Sequence, residues 1–213
     1  MIPDSVTSIG DWAFGFCSFL GSITFGENSK LESIGKNVFC HSGLTSITIP
    51  DSVTSIGNSA FADCGWLTSV TIGNSVTSIG NYAFIRCNNL TSIIFGENNK
   101  LESIGKNAFT DCSSLMSITI PDNVTSIGAG AFNYCSSLTN VTIGDSVTSI
   151  GNSAFAYCSS LTNVTFKNTM GWKISTNSSM SNSTAITSSA LSNASTAAQY
   201  LKSAYCGYYW QRG

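Results

Sequence analysis

Apolar and polar positions along this 213-residue chain recur in one fixed order. An Ile-Gly pair is followed, four residues after the Gly, by Phe. It stands at Ile9/Gly10/Phe14, Ile34/Gly35/Phe39, Ile56/Gly57/Phe61, Ile79/Gly80/Phe84, Ile104/Gly105/Phe109, Ile127/Gly128/Phe132 and Ile150/Gly151/Phe155. The seven copies are spaced 25, 22, 23, 25, 23 and 23 residues apart, a period that marks stacked repeats. A full unit, Val147 to Phe166, reads VTSIGNSAFAYCSSLTNVTF.

Each unit ends in a period-2 alternation, as in Leu67-Thr68-Ser69-Val70-Thr71-Ile72, which predicts a strand with one buried side. Equivalent strands end at Phe25, Ile49, Phe95, Ile120, Ile143 and Phe166. A second short strand or extended corner is expected over Val53 to Ile56 and its copies. The Gly after each Ile is expected at a corner, where a residue without Cβ reaches positive φ at little cost. One unit buries too few side chains to offset the entropy of ordering it, so the units must stack and share a ladder. The prediction is a β-rich solenoid of about seven 22–25-residue units carrying a parallel sheet, with a short helix near the C-terminus.

The run Ala108-Phe109, Cys112, Leu115, Ile118, Ile120 and Pro121, an A-F-x-x-C-x-x-L-x-x-I-x-I-P core, resembles the BspA-like (treponemal-type) branch of the leucine-rich repeat superfamily. The resemblance covers residues 2 to about 167. It implies a curved right-handed superhelix with a parallel sheet on one side. It also implies cell-surface or secreted proteins of bacteria and some protozoa that attach to host proteins such as fibronectin and fibrinogen. No catalytic residue comes with it.

Departures from the repeat carry the remaining information. Both 25-residue spacings hold nearly the same insert, Gly26 to Glu32 and Gly96 to Glu102, as if a block of three units were duplicated. These inserts read as solvated, charge-balanced loops, with a paired contact surface as the alternative. Unit two is one residue short, and its Cys40 follows Phe39 directly instead of joining the cysteine column. Unit one adds Trp12, Phe16 and Phe19, which either fold over an open end or contact further sequence. The chain starts in mid-unit and is expected to be a piece of a longer protein whose N-terminal edge can self-associate. Residues 1–167 are assigned to the solenoid and 168–213 to a Ser/Asn-rich loop and helical cap, with the helix over Ser195 to Tyr205, Ser195 as N-cap and Gly207 as C′ residue.

Charge narrows the partners. Nine Lys and Arg against 11 Asp and Glu give a net charge of −2, which argues against nucleic acid and anionic membranes. No stretch is long and apolar enough to span a bilayer. The start, Met1 to Asp4, has neither a basic region nor an apolar run of the kind that opens a secretory leader, so a cytoplasmic location stays open beside the cell surface.

Catalysis finds little support. Cys17, Cys64, Cys87, Cys112, Cys135 and Cys158 share one column three residues after each Phe and are expected as buried free thiols, whereas Cys40 and Cys206 are expected to be the accessible ones. His41 is the sole histidine, and Cys40 beside it is a sequence neighbour that need not point the same way. No metal-ligand spacing, phosphate loop or acid pair emerges, so no catalytic residue, metal or cofactor is assigned.

The surface is what is left. One outward column of Ser22, Ser46, Ser69, Ser92, Ser117, Asn140 and Asn163, paired with a Thr-rich one, is flat and hydroxyl-bearing. It lacks the Trp, Tyr and Arg anchors of tight interfaces. The column two residues after each Phe varies instead: Phe16, His41, Asp63, Arg86, Asp111, Tyr134 and Tyr157. With Trp66, Tyr82 and Ile85 it supplies the candidate binding set Trp66, Tyr82, Ile85, Arg86, Tyr134 and Tyr157, against neutral drift on a loop as the plain alternative. The chain therefore reads as a non-enzymatic protein-binding module for surface attachment. A structural spacer and an intracellular recognition protein are the alternatives.

Overall fold

A computed structural model describes all of residues 1–213. The Ser-Ile pair of each unit forms a two-residue strand: Ser8–Ile9, Ser33–Ile34, Ser55–Ile56, Ser78–Ile79, Ser103–Ile104, Ser126–Ile127 and Ser149–Ile150. All seven pair in parallel and in register, Ser on Ser and Ile on Ile. The solenoid expected from the repeat is the observed fold.

The longer strands do not form one sheet. Ser46–Thr48, Ser69–Ile72 and Ser92–Phe95 make one parallel three-stranded sheet, and Ser117–Thr119, Asn140–Ile143 and Asn163–Phe166 make another. The break falls where the 25-residue spacing puts two more residues between Phe95 and Ile104 than between Ile120 and Ile127. That slack lets adjacent turns splay on this side while their short strands stay paired. The same spacing separates the first turn, whose long strand is reduced to a single parallel bridge between Ile2 and Phe25. At both breaks the inward side chains, Ile23/Phe25 and Ile93/Phe95, are half-buried, whereas Val70, Ile118, Val141 and Val164 are buried.

Backbone hydrogen bonds also run between turns on the third side. Phe61 N–H donates to Ala83 O and Asp63 N–H to Ile85 O, and the pattern repeats from Phe14 to Tyr134. Here the chain alternates handedness. Two non-Gly columns stand at positive φ: Trp12, Asn37, Ser59, Tyr82, Asn107 and Ser153 two residues before each Phe, and Phe16, His41, Asp63, Arg86, Asp111, Tyr134 and Tyr157 two residues after it. The alternation aims every second N–H at the next turn, so the ladder compensates for the left-handed conformations.

The corner glycines serve a different purpose from the one expected. None of the seven after the Ile has positive φ; that region holds only Gly130 and Gly171 among glycines. The column is glycine because turns touch there: a Cβ on Gly105 would lie 2.6 Å from the carbonyl carbon of Gly80.

Inside, Phe14, Phe39, Phe61, Phe84, Phe109, Phe132 and Phe155 stack in one row with centroids 4.9–5.3 Å apart. Beside them the buried thiols of Cys64, Cys87, Cys112, Cys135 and Cys158 each donate to the Phe carbonyl of the preceding turn at 3.0–3.3 Å. Ser42 fills the column in unit two and contacts Cys64 Sγ at 3.3 Å. Two expectations change. Cys17 is exposed, and Cys40 is buried beneath the turn of Ala62.

At the other end, residues 168–213 contain more structure than a loop and one helix. Trp172–Ser175, Thr184–Ala185 and Tyr209–Arg212 are strands, and Tyr209–Arg212 pairs antiparallel with Ser149–Ile150, extending the short-strand sheet through Trp172–Ser175 to Thr184–Ala185. Two short helices, α1 (Ser188–Ser192) and α2 (Ala194–Gln199), and a π-helical turn, Tyr200–Ala204, pack beside them. Asn193, not Ser195, caps α2, accepting from Thr196 N–H at 2.9 Å. Gly207 is not left-handed, so it is no C′ cap. Trp172, Trp210, Leu191 and Leu201 are buried with Phe166, and Cys206 O accepts from Ser153 N–H, which extends the third ladder by one rung.

At the start of the chain nothing comparable covers the core. Val6, Phe14, Leu20 and Ile23 are only partly buried. Trp12 and Phe16 do not fold over that end; they stack on each other on the outer wall at 5.7 Å, and Phe19 stands fully in solvent.

Candidate binding surface

The variable column becomes a continuous ribbon once the turns are stacked. Its seven members share φ between 56° and 60°. Their Cα–Cβ bonds are therefore presented alike, and four pairs of side chains meet across adjacent turns. Phe16 stacks on His41 at 4.9 Å, His41 Nε2 lies 3.7 Å from Asp63 Oδ2, and Arg86 Nη1 lies 3.6 Å from Asp63 Oδ1. Further along, Tyr134 and Tyr157 stack at 4.5 Å with their rings nearly parallel. The ribbon is aromatic at both ends and charged in the middle.

The candidate residues separate accordingly. Arg86, Tyr134 and Tyr157 lie on the ribbon, and Tyr82 stands in the parallel positive-φ column within the turn of Arg86. Ile85, between Tyr82 and Arg86, is half-buried and contributes a wall rather than a tip. Trp66 belongs elsewhere. It lies five residues after Phe61, in the column of Phe19, and is 69% exposed. Unit two lacks a residue at that position, which leaves Trp66 without a neighbour on that side.

Two further threonine columns, one residue before the outward Ser column and one residue before the short strands, are tied down internally. Thr45, Thr68 and Thr91 each donate Oγ1 to a carbonyl one turn earlier, at 3.3, 2.9 and 3.1 Å. Thr54, Thr77, Thr125 and Thr148 do the same beside the short strands. Much of the recurrent Thr is accounted for by these ladders. The columns named from the sequence face outward as expected, but the split between Ser92–Phe95 and Ser117–Thr119 divides them into two plates.

Each split is an open cleft with an apolar floor and a polar rim. One is lined by Ile23, Phe25, Ile47 and Glu27, the other by Ile93, Phe95, Ile118 and Glu97. At the rim of the second, Lys167 Nζ donates to Asp122 Oδ2 at 2.7 Å, which holds the Asp122 carboxyl below its usual range.

Sequence reasoning missed one group. Cys40 Sγ, a His41 ring nitrogen and an Asp63 carboxylate oxygen all lie within 4.8 Å of one another. Burial, then the charge of Asp63, raises the Cys40 thiol, the opposite of what an activated nucleophile needs. The signal available in the sequence was positional: His41 and Asp63 occupy the same column of successive units.

Comparison with known proteins places these features in company. The sequence matches the BspA type leucine rich repeat region, in six copies, over residues 1–100 and 97–201. A leucine-rich repeat protein of Treponema pallidum is 31% identical, with a TM-score of 0.57 over 62% of this chain and 62% of its own. One from Bacteroides ovatus is 28% identical, with a TM-score of 0.56 over 76% of this chain and 46% of its own. The pneumococcal vaccine antigen PcpA, 20% identical with a TM-score of 0.53 over 78% of this chain and 56% of its own, shares the fold. The chain thus spans less than two thirds of the length of these structures. No curated protein matches it.

Proposed function

Since the chain belongs to the BspA-type leucine-rich repeat family, a family of protein-interaction modules that are generally non-enzymatic, we propose that it is a protein-binding module used for attachment to extracellular host or matrix proteins, with the positive-φ ribbon and its flank as the contact surface. The observation that carries this reading is the exposed, stacked Tyr134–Tyr157 pair, two turns along the same ladder from Arg86 and Tyr82. Tyr and Arg are the residue types that dominate binding energy, and backbone hydrogen bonds hold them in place before a partner arrives. The outward Ser and Thr columns of the long strands present no such anchors. Attachment outside the cell is favoured by the family resemblance, and no helix here is long and apolar enough to cross a membrane.

A solid-phase assay of the full chain against purified matrix proteins, fibronectin and fibrinogen among them, tests the reading. Saturable binding is expected, weakened at least about ten-fold by Tyr134→Ala with Tyr157→Ala, or by Trp66→Ala, Tyr82→Ala and Arg86→Ala together. No saturable binding across the panel, or binding indifferent to both variants, would overturn it.

A further inference from the structure

The turn that breaks the repeat also builds a site. We propose that Cys40, His41 and Asp63 bind a divalent transition-metal ion of the zinc class through a thiolate, an imidazole nitrogen and a carboxylate, with a fourth position open to solvent.

The inference starts from the irregular unit. Cys40 takes the place held by Gly15, Ala62, Ile85, Thr110, Asn133 and Ala156 in the other turns, and it is a ligand type found at that position only here. His41 follows it, and Asp63 is the residue one turn further along the same column. His41 N–H donates to Ala62 O at 2.9 Å, so the two turns are fastened at the site itself. The three donor atoms fall within 4.8 Å of one another, and His41 Nε2 and Asp63 Oδ2 are 3.7 Å apart. Ligands on a tetrahedral zinc, at about 2.0–2.3 Å from the metal, stand roughly 3.2–3.8 Å from each other. A small rotation of the Cys40 side chain closes the remaining difference. Mixed sulfur, nitrogen and oxygen donors suit zinc and cobalt and suit calcium or magnesium poorly.

The surroundings fit the same reading. Arg86 Nη1 sits 3.6 Å from Asp63 Oδ1, leaving Oδ2 turned to His41, so the cation orients the carboxylate as an outer-shell partner. Phe16 stacks on the His41 ring at 4.9 Å and limits its rotation. The His41 and Asp63 side chains are 47% and 25% exposed, which gives an ion a path inward, while Cys40 lies beneath them. Binding the metal deprotonates the thiol, and the released proton passes to solvent. His41 and Asp63 lie on the same ribbon as the proposed attachment surface, but of the residues replaced to test attachment only Arg86 takes part here, in an orienting role, so the two readings can fail separately.

Cobalt alone, added to the reduced full chain, is the probe. One equivalent is expected to produce a thiolate-to-cobalt charge-transfer absorption together with tetrahedral d–d bands, both bleached by zinc, and zinc is expected to raise the melting temperature. Cys40→Ser should abolish the charge-transfer absorption. His41→Ala and Asp63→Asn, at exposed or half-exposed positions, should leave the metal-free melting temperature unchanged and weaken zinc binding at least about ten-fold. Cys17→Ser with Cys206→Ser removes the two accessible thiols outside the site and should change neither readout. The absence of the absorption, its survival in Cys40→Ser, its loss in the Cys17/Cys206 variant, or zinc affinity within two-fold of the parent in both His41→Ala and Asp63→Asn would overturn the assignment.

Discussion

Cys64 Sγ donates to the carbonyl oxygen of Phe39 at 3.0 Å, across 25 residues of sequence and one turn of the solenoid. The contact joins the two most regular columns of the molecule, since each later thiol repeats it on the Phe of its own preceding turn. Each of these carbonyls already accepts the backbone N–H three residues on, as Phe39 O does from Ser42 N–H at 3.0 Å, and the thiol adds a second donor from the next turn while filling apolar space.

This arrangement fixes thiol reactivity. In the native chain at pH 8, Cys17 and Cys206 are expected to react with Ellman's reagent, and the six buried cysteines only after unfolding. Counting fast and slow thiols in the presence and absence of guanidinium checks the division. Fast reaction of more than two would contradict the buried column.

Stability should fall in alkali. Burial pushes Cys64 from the ordinary thiol value near 9 up to about 11, and raises Cys87 and Cys112 as well. The folded state therefore keeps protons that the unfolded chain releases. This contribution is fully present below about pH 9 and is lost as pH rises toward the folded value, with Cys64 alone accounting for up to about 2–3 kcal/mol by pH 11. Urea melts between pH 8 and 11 should show a steeper decline for the parent than for Cys64→Ala.

The glycine corner tolerates no methyl group. Gly105→Ala places a Cβ 2.6 Å from backbone of the preceding turn and should destabilise the fold by about 1–3 kcal/mol or more. Gly207→Ala, with no atom within 4 Å of the added carbon, serves as the near-neutral control. Equal urea midpoints for the two would refute close contact at the corner.

Left-handed positions invite the reverse change. Ser59 holds φ of 55°, so Ser59→Gly should stabilise by up to about 1 kcal/mol, whereas Ser59→Val should cost about 1–2 kcal/mol. Denaturant midpoints of the pair report the sign.

The closed end should depend on one side chain. Trp210 is 2% exposed, packs near Phe166 and Trp172, and lies on the strand that joins the seven short strands to Trp172–Ser175. Trp210→Ala is expected to cost about 3–5 kcal/mol. Hydrogen exchange should show the Asn163–Phe166 and Ser149–Ile150 strands losing protection before the central turns. Uniform loss along the solenoid would argue against a local closing role.

Repetition made the fold legible. Seven copies of one unit give every turn the same inward Phe, Leu and Ile, buried in all but the first turn, so register follows from alignment alone. The closing segment was harder to read because Trp172–Ser175 and Tyr209–Arg212 occur once each and are too short to show a period; Tyr209–Arg212 is a strand because the open edge of Ser149–Ile150 offers it a partner, and Trp172–Ser175 pairs on it in turn. The binding candidates were legible as departures from the repeat, but their grouping was not: Tyr134 and Tyr157 come together, whereas Trp66 stands apart.

By itself the amino-acid order determined a stack of near-identical coils with Phe, Cys and Leu inside, because apolar side chains recurring at one period have only the neighbouring coil in which to hide. The three-dimensional arrangement decided the rest. It showed that the corner glycines answer to crowding rather than to backbone handedness, that the long-strand face divides where two extra residues give slack, and that Cys40, His41 and Asp63 converge. These outcomes depend on distances between residues 22 or more apart in sequence, and such distances are set by how turns lie against one another rather than by any single turn.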